Sequence, residues 1–280
     1  MFEEQTLAMT EEERDQLLLD RVTFHYAKTR FNFLNEHSGL RRKNFHLLMG
    51  TAGTGKTTLS RSALMDLAEY HKIFVYSSEE SVKETKAMFA LRKTGNTILQ
   101  NVVFWHERDA EKICGESADE WLKQLEIRIM NSKADIFFFD NLTTSRFYDV
   151  KVNDQPKIVS SLHSILHACN VAGFFVAHTA NGVKDDQQAL ISTSDIRGNR
   201  SLTNKAEFVY AYQKFTSPPT GQSTSPVSYG TIRNLKARGH DVGSTFLLRF
   251  DFNTSEYTGD VKIPSTKFKE IYDSRFKLGK

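Results

Sequence analysis

The 280-residue chain carries 37 Lys and Arg against 34 Asp and Glu. The formal charge of +3 neither demands a nucleic-acid partner nor excludes one, because a local basic stripe matters more than the sum. Apolar residues at 39% and charged residues at 25% are those of a globular protein, no apolar run approaches the length needed to cross a bilayer, and only two cysteines, Cys114 and Cys169, without metal-ligand spacing, exclude a disulfide or zinc scaffold and suit a reducing cytoplasm.

In chain order, residues 1–30 are expected to form an arm. Its lead, MFEEQTLAMTEEERDQ, is acidic and polar, unlike a secretory or transit peptide. Leu17, Leu18, Leu19, Val22, Phe24 and Tyr26 then make an apolar patch on a segment read as a helix. From residue 31 to 258 we expect one core. Short apolar strands, FHLLM (45–49), KIFVYS (72–77), NVVFW (101–105), DIFFFD (135–140) and AGFFVAH (172–178), alternate with helices near 57–70, 81–93, 117–131 and 155–169. Near-continuous apolar strands separated by helices predict an α/β fold, a parallel sheet covered on both faces.

After residue 178 the pattern changes. NGVKDDQQALISTSDIRGNRS is polar and aperiodic and reads as a long loop. EFVYAYQ, TIRNLKA and TFLLRFDF follow as antiparallel strands, with TSPPTGQSTSPVS as a flexible link, and residues 259–280 read as a basic tail. No internal repeat is present.

GTAGTGKTT, residues 50–58, matches G-x-x-x-x-G-K-[ST] and lies between a strand and a helix. That context is the one in which the motif cradles nucleotide phosphates. Gly50, Gly53 and Gly55 let the backbone N–H groups of the loop, with Thr51, Ala52, Thr54 and Thr58, converge on phosphate oxygens. Lys56 reaches the β- and γ-phosphates, and the Thr57 hydroxyl completes the shell of a Mg²⁺ ion. DIFFFDN ends an apolar strand in Asp140, placed to hold the same Mg²⁺ through water. ATP with Mg²⁺ is the expected cofactor set.

The residue after Asp140 is Asn141, so the base that activates water must come from elsewhere. YSSEES offers Glu79 and Glu80 just past the strand KIFVYS, at the sheet edge where such folds bind ligands. The same SSEES can instead cap the next helix; Asn141 favours catalysis by Glu79. His178, closing AGFFVAH, either senses the γ-phosphate or is a strand-end histidine satisfied by backbone. His163 and His167 stand one helical turn apart, but without further ligands they read as ordinary helix-surface histidines.

These pieces, in this order, resemble the RecA-like P-loop ATPases, and most closely the hexameric superfamily 4 replicative helicases of the DnaB type and the plasmid RepA type. The likeness runs over roughly residues 30–258. Its selective parts are SDIRGNRSLTNKAEFVYAY (194–212), similar to the segment that leads from the DNA-binding loop into the next strand, and NLKARGHDVGSTFLLRF (234–250), similar to the hairpin with a K-x-R pair. The resemblance implies ATP bound between adjacent subunits, with Lys236 and Arg238 as cationic fingers toward the neighbour's γ-phosphate. Both residues also read as solvated charges on an edge strand. His178 stands where the family usually has Gln, as in some RepA-type helicases. No segment corresponds to the N-terminal primase or primase-binding domain of many relatives.

The resemblance further implies an ATP-dependent ring translocase, a homo-oligomer expected to be a hexamer, moving on single-stranded DNA and unwinding duplex in replication. RNA remains an open alternative substrate, replication proteins are candidate partners, and a viral or plasmid protein acting in a host cytoplasm fits as well as a cellular one. Nucleic-acid contacts would fall on Arg146, Phe147, Tyr148 and Lys151 in LTTSRFYDVKVN, and on Lys184, Arg197 and Arg200 in the long loop; the mixed charge of both loops is equally that of ordinary surface. Arg197 is expected to couple its loop to the phosphate site. Two rivals share the fold: a recombination ATPase on single strands, and a DNA-independent regulatory ATPase whose paired acids would resemble Glu79 and Glu80.

Overall fold

The computed structural model describes residues 10–12, 14–16, 29–37, 39–84, 98–180, 190–217, 227–251, 254 and 256–274. Nine strands form one sheet in the order β3-β2-β4-β5-β1-β6-β7-β8-β9. They are β1 Phe45–Gly50, β2 Ile73–Ser77, β3 Val102–His106, β4 Ile136–Asp140, β5 Ala172–His178, β6 Phe208–Ser217, β7 Val227–Ala237, β8 Thr245–Asp251 and β9 Glu256–Ile263. The six from β3 to β6 run parallel, and β7, β8 and β9 are antiparallel additions. The helices delimited among the described residues include α1 Asn32–Asn35, α2 Lys56–Ala68, α3 Glu107–Cys114, α4 Ala118–Ser132, α5 Gln155–Ala168, α6 Ser201–Lys205 and α7 Ser265–Ser274.

The phenylalanine run of β4 explains why the parallel strands read as continuous apolar stretches. Phe137 and Phe139 enter the core under α4 and α5, with Trp121, Leu125, Ile158 and Leu162. Ile136 and Phe138 enter the opposite core under α2, with Ala63, Leu64 and Leu67. Side chains alternate along a strand, so a strand with both faces covered must be apolar at every position. Local signals set the helix starts: the Ser117 side chain accepts from Glu120 N–H, and Asp119 and Glu120 complement the dipole in the first turn of α4.

The stretch read as a tail from residue 259 begins inside β9, and α7 then packs Phe268 and Tyr272 against Phe215 of β6. Asp260 of β9 also accepts from Asn32 N–H at 2.7 Å and Phe33 N–H at 3.0 Å, capping α1 from the far end of the chain. Nothing local to EYTGDVKI announces that task. The helix expected over 81–93 lies largely outside the described residues, as do Lys184, the arm's apolar patch at 17–26 and most of the 216–228 link. Among the described residues no helix is long and apolar enough to cross a membrane.

His46, on β1, is fully buried and stacks on Phe208 with ring centroids 4.4 Å apart. Its Nε2 accepts from Arg41 N–H at 3.3 Å, which leaves the proton on Nδ1, facing the Tyr210 hydroxyl at 3.4 Å. Burial first, then the charges of Arg41 and His37, push His46 down to about 3. A histidine depressed in the folded state contributes stability that is complete above its unfolded value of about 6.5 and is lost as pH falls toward the folded value. Relative to pH 7, wild type should lose about 2 kcal/mol at pH 5 through this group. Urea unfolding should show that loss missing from His46→Phe, which has nothing to protonate.

Candidate functional site

The parallel strands bring the singled-out residues to one edge. Gly50 lies opposite His178 in the β1–β5 register, and Ser77 opposite Asp140 in the β2–β4 register. The loop after β1, the acids after β2, the end of β4 and the end of β5 therefore share the carboxyl edge, where open α/β sheets bind ligands.

The loop has a nest's backbone. Gly53 has φ 71° and Gly55 φ 107°, the second at the N-cap of α2. A Cβ at Gly50 would stand 2.6 Å from the Tyr212 carbonyl oxygen, so that position admits only glycine. Lys56 is buried and turned back on the loop, its Nζ donating to Thr51 O at 2.6 Å. Burial pushes it down to about 8, against the pull of Asp140 and Glu79. Phosphate charge would reverse that push.

Asp140 is buried, and its Oδ1 has no partner. Burial, then repulsion from Glu79 and Glu80, pushes it up to about 7, with the Thr57 hydroxyl and Lys56 acting the other way. An unpartnered carboxylate oxygen beside a threonine hydroxyl and two further acids fits a hard divalent cation such as Mg²⁺. Thr57 and Asp140 would hold it, and the ion would neutralise charge on phosphate oxygens.

The two acids after β2 have different neighbours. Glu80 pairs with Arg61 of α2. Glu79 Oε1 is 3.2 Å from His178 Nε2 and accepts from the Thr144 hydroxyl at 3.1 Å. The His178 bond, with Thr144 adding, holds Glu79 below the usual carboxylate range against the opposing effect of partial burial. The helix-capping role belongs instead to Ser81 and Glu84: Ser81 N–H donates to Glu84 Oε2 at 2.7 Å, and Glu84 N–H to Ser81 Oγ at 3.3 Å. Glu79 is thus an ionised carboxylate oriented by an imidazole, across from the phosphate loop. It is suited to orient and deprotonate a water.

Sequence reasoning missed the serine and threonines that brace this acid. The Ser78 hydroxyl donates to Asn141 O at 2.8 Å and lies 2.9 Å from the Thr144 hydroxyl; the Thr143 hydroxyl accepts from His178 N–H at 2.8 Å. Their only sequence signal was polarity at strand ends. Tyr212, also missed, donates to Thr54 O at 2.8 Å.

The remaining candidates lie elsewhere. Phe147 and Tyr148 are 2% and 1% exposed, which corrects their reading as nucleic-acid contacts. Phe147 stacks on Trp121 with ring centroids 5.1 Å apart and planes nearly parallel, because SRFYD folds inward over α4. Arg146 is exposed but pairs with Glu111 at 3.1 Å and Glu116 at 3.4 Å. Lys151 and Arg200 are exposed. Arg197 N–H donates to His178 O at 2.9 Å, beside a bridge between Thr179 and Ile196, so its segment returns to the end of β5. His163 faces Glu207 at 3.6 Å and packs against His167 with ring centroids 4.8 Å apart and planes tilted by 38°. Among the described residues no group of three or more His, Cys, Asp or Glu could hold a metal ion.

Lys236 and Arg238 sit at the other end of the sheet. Lys236 pairs with Val209, and Arg238 N–H donates to Glu207 O, while Glu207 N–H donates to Phe45 O at the start of β1. From Phe45 to Gly50 the strand runs about 16 Å. Lys236 Nζ donates to Thr203 O and Asn204 O at 2.9 and 2.8 Å, and Arg238 is 3.4 Å from Glu207 Oε1. Neither cation belongs to the phosphate site of its own chain.

This architecture and edge geometry define a RecA-like P-loop ATPase fold. Three solved structures share it. A DnaB-like replicative helicase, described with its interactions with primase, aligns over 92% of this chain and 68% of its own at TM-score 0.65 and 14% identity. A second structure, of an ATPase domain, aligns over 89% of this chain and 98% of its own at TM-score 0.68 and 14% identity. A KaiC-like protein of Pyrococcus horikoshii aligns over 81% and 92% at TM-score 0.56 and 16% identity. No protein-family model matches the chain, and no curated protein does.

Proposed function

We propose that this chain is an ATP-dependent DNA helicase, a ring translocase that hydrolyses MgATP between subunits to move on single-stranded DNA and unwind duplex during replication. The observation that carries the reading is the separation of Lys236 and Arg238 from the phosphate loop. Two cations carried by a hairpin at the far end of the sheet complete a site only when another copy supplies them. The fold shared with the DnaB-like replicative helicase supports the same reading.

In the mechanism, backbone N–H groups of residues 50–55 and the Lys56 ammonium bind the phosphates. Thr57 and Asp140 would hold Mg²⁺, which would neutralise charge on the phosphate oxygens. Glu79, held by His178 and Thr144, takes the proton of the attacking water at Oε1 or Oε2. His178 Nε2 then senses the change through its contact with Glu79 and, from its own carbonyl, passes it to the Arg197 segment. Lys236 and Arg238 of the adjacent copy stabilise charge on the transferred phosphoryl group. Lys151, Arg197, Arg200 and Lys184 contact the strand through phosphates. A hexamer, replication partners and a cytoplasmic setting complete the reading, with RNA as the alternative strand.

One observation favours a second reading. The inward turn of Phe147 and Tyr148 withdraws two expected aromatic contacts, and Arg146 already faces Glu111 and Glu116. A DNA-independent regulatory ATPase, like the KaiC-like neighbour in fold, needs none of them.

Strand displacement on a forked duplex, with Lys56→Ala as control, tests the proposal. Unwinding that requires ATP and disappears in the variant supports the helicase. ATP hydrolysis stimulated by single strands without unwinding favours the recombination ATPase. Hydrolysis indifferent to DNA favours the regulator.

A further inference from the structure

We infer that two buried tyrosine hydroxyls, Tyr212 on β6 and Tyr257 on β9, position the phosphate loop for nucleotide binding. The inference rests on the nucleotide reading of that loop. The Tyr212 hydroxyl donates to Thr54 O at 2.8 Å and lies 2.6 Å from the Tyr257 hydroxyl. A phenol has one proton. With that of Tyr212 given to Thr54 O, the bond between the hydroxyls runs from Tyr257 to Tyr212. The two residues are 0% and 7% exposed, so no water competes freely for these bonds.

Their placement matters because of what lies across the peptide. Thr54 C=O and Gly55 N–H belong to one planar trans unit and point in opposite directions. Holding the carbonyl toward the sheet keeps the Gly55 N–H turned away from it, on the side from which a phosphate oxygen can accept. The hydroxyls also fill the hollow left by the glycine: a Cβ at Gly55 would stand 3.3 Å from the Tyr257 oxygen and 3.4 Å from the Tyr212 oxygen. Tyr257 is itself fixed, its N–H donating to Ser62 Oγ of α2 at 3.3 Å and its ring lying edge-on to Phe250 and Tyr212. Strand β9 therefore shares in the nucleotide site, although it closes the far edge of the sheet. The pair acts through the loop and touches no reacting atom.

The test is the affinity of a fluorescent ATP analogue with Mg²⁺, measured beside saturated hydrolysis rate and thermal midpoint, for wild type, Tyr212→Phe and Tyr257→Phe. Tyr212→Phe should weaken binding about 3- to 10-fold, the scale of one net hydrogen bond. Tyr257→Phe, acting at one remove, should weaken it about 2-fold. Saturated rates should stay within about 2-fold of wild type, since the chemistry at Glu79 is untouched. Unchanged affinity with a lowered midpoint in either variant overturns the inference and makes the pair a core hydrogen bond only. Should Tyr212→Phe not fold, Tyr257→Phe, which keeps the bond to Thr54, decides alone. A wild-type chain that binds no nucleotide overturns the phosphate reading and this inference with it.

Discussion

Glu79→Gln should bind nucleotide as wild type does and hydrolyse it about 10²- to 10⁴-fold more slowly, the usual weight of a general base. The substitution keeps the shape of the side chain and its contacts with His178 and Thr144 while removing the atom pair that accepts a proton. Binding survives because the phosphate contacts come from the loop and Lys56. Single-turnover hydrolysis beside analogue affinity separates binding from hydrolysis. Glu80→Gln is the matched control: its partner is Arg61, so its saturated rate should remain within a few-fold of wild type. A slow Glu80→Gln with a normal Glu79→Gln would assign the base to the other acid.

The second large effect is one that two inactive proteins should cancel between them. Arg238→Ala should lower hydrolysis about 10³- to 10⁵-fold, the scale of a cation delivered to a transferring phosphoryl group. Lys56→Ala should be inactive for the opposite reason, keeping its hairpin but losing its phosphate contact. In a random one-to-one mixture about a quarter of adjacent pairs would join an intact phosphate site to an intact hairpin. Activity should therefore reappear on mixing. Continued inactivity would return Arg238 to its partner Glu207, as a cation stabilising the start of β1.

Much of the site was legible because it is local. The glycines, Lys56 and Thr57 of GTAGTGKTT carry their conformational demands in their own identity, and the strand before it and helix after it are periodic. The same holds for the alternation that buries Phe137 and Phe138 on opposite faces. Phe147 and Tyr148 misled for the converse reason. An aromatic pair beside an arginine looks alike in a loop that offers itself to a base and in one that folds over Trp121. Whether a loop closes inward depends on a helix elsewhere leaving room.

The glycine-rich loop, the apolar strands of a parallel sheet and the acidic pair after β2 could be read from the chain alone, since each rests on residues close together in it. Only the tertiary structure decided which acid faces His178, where Lys236 and Arg238 stand relative to the loop, and that β9 reaches both α1 and the phosphate loop. Tyr212 and Thr54 are 158 positions apart, and Asn32 and Asp260 are 228. Contacts at such separations follow from strand order and register, which no local pattern of side chains encodes.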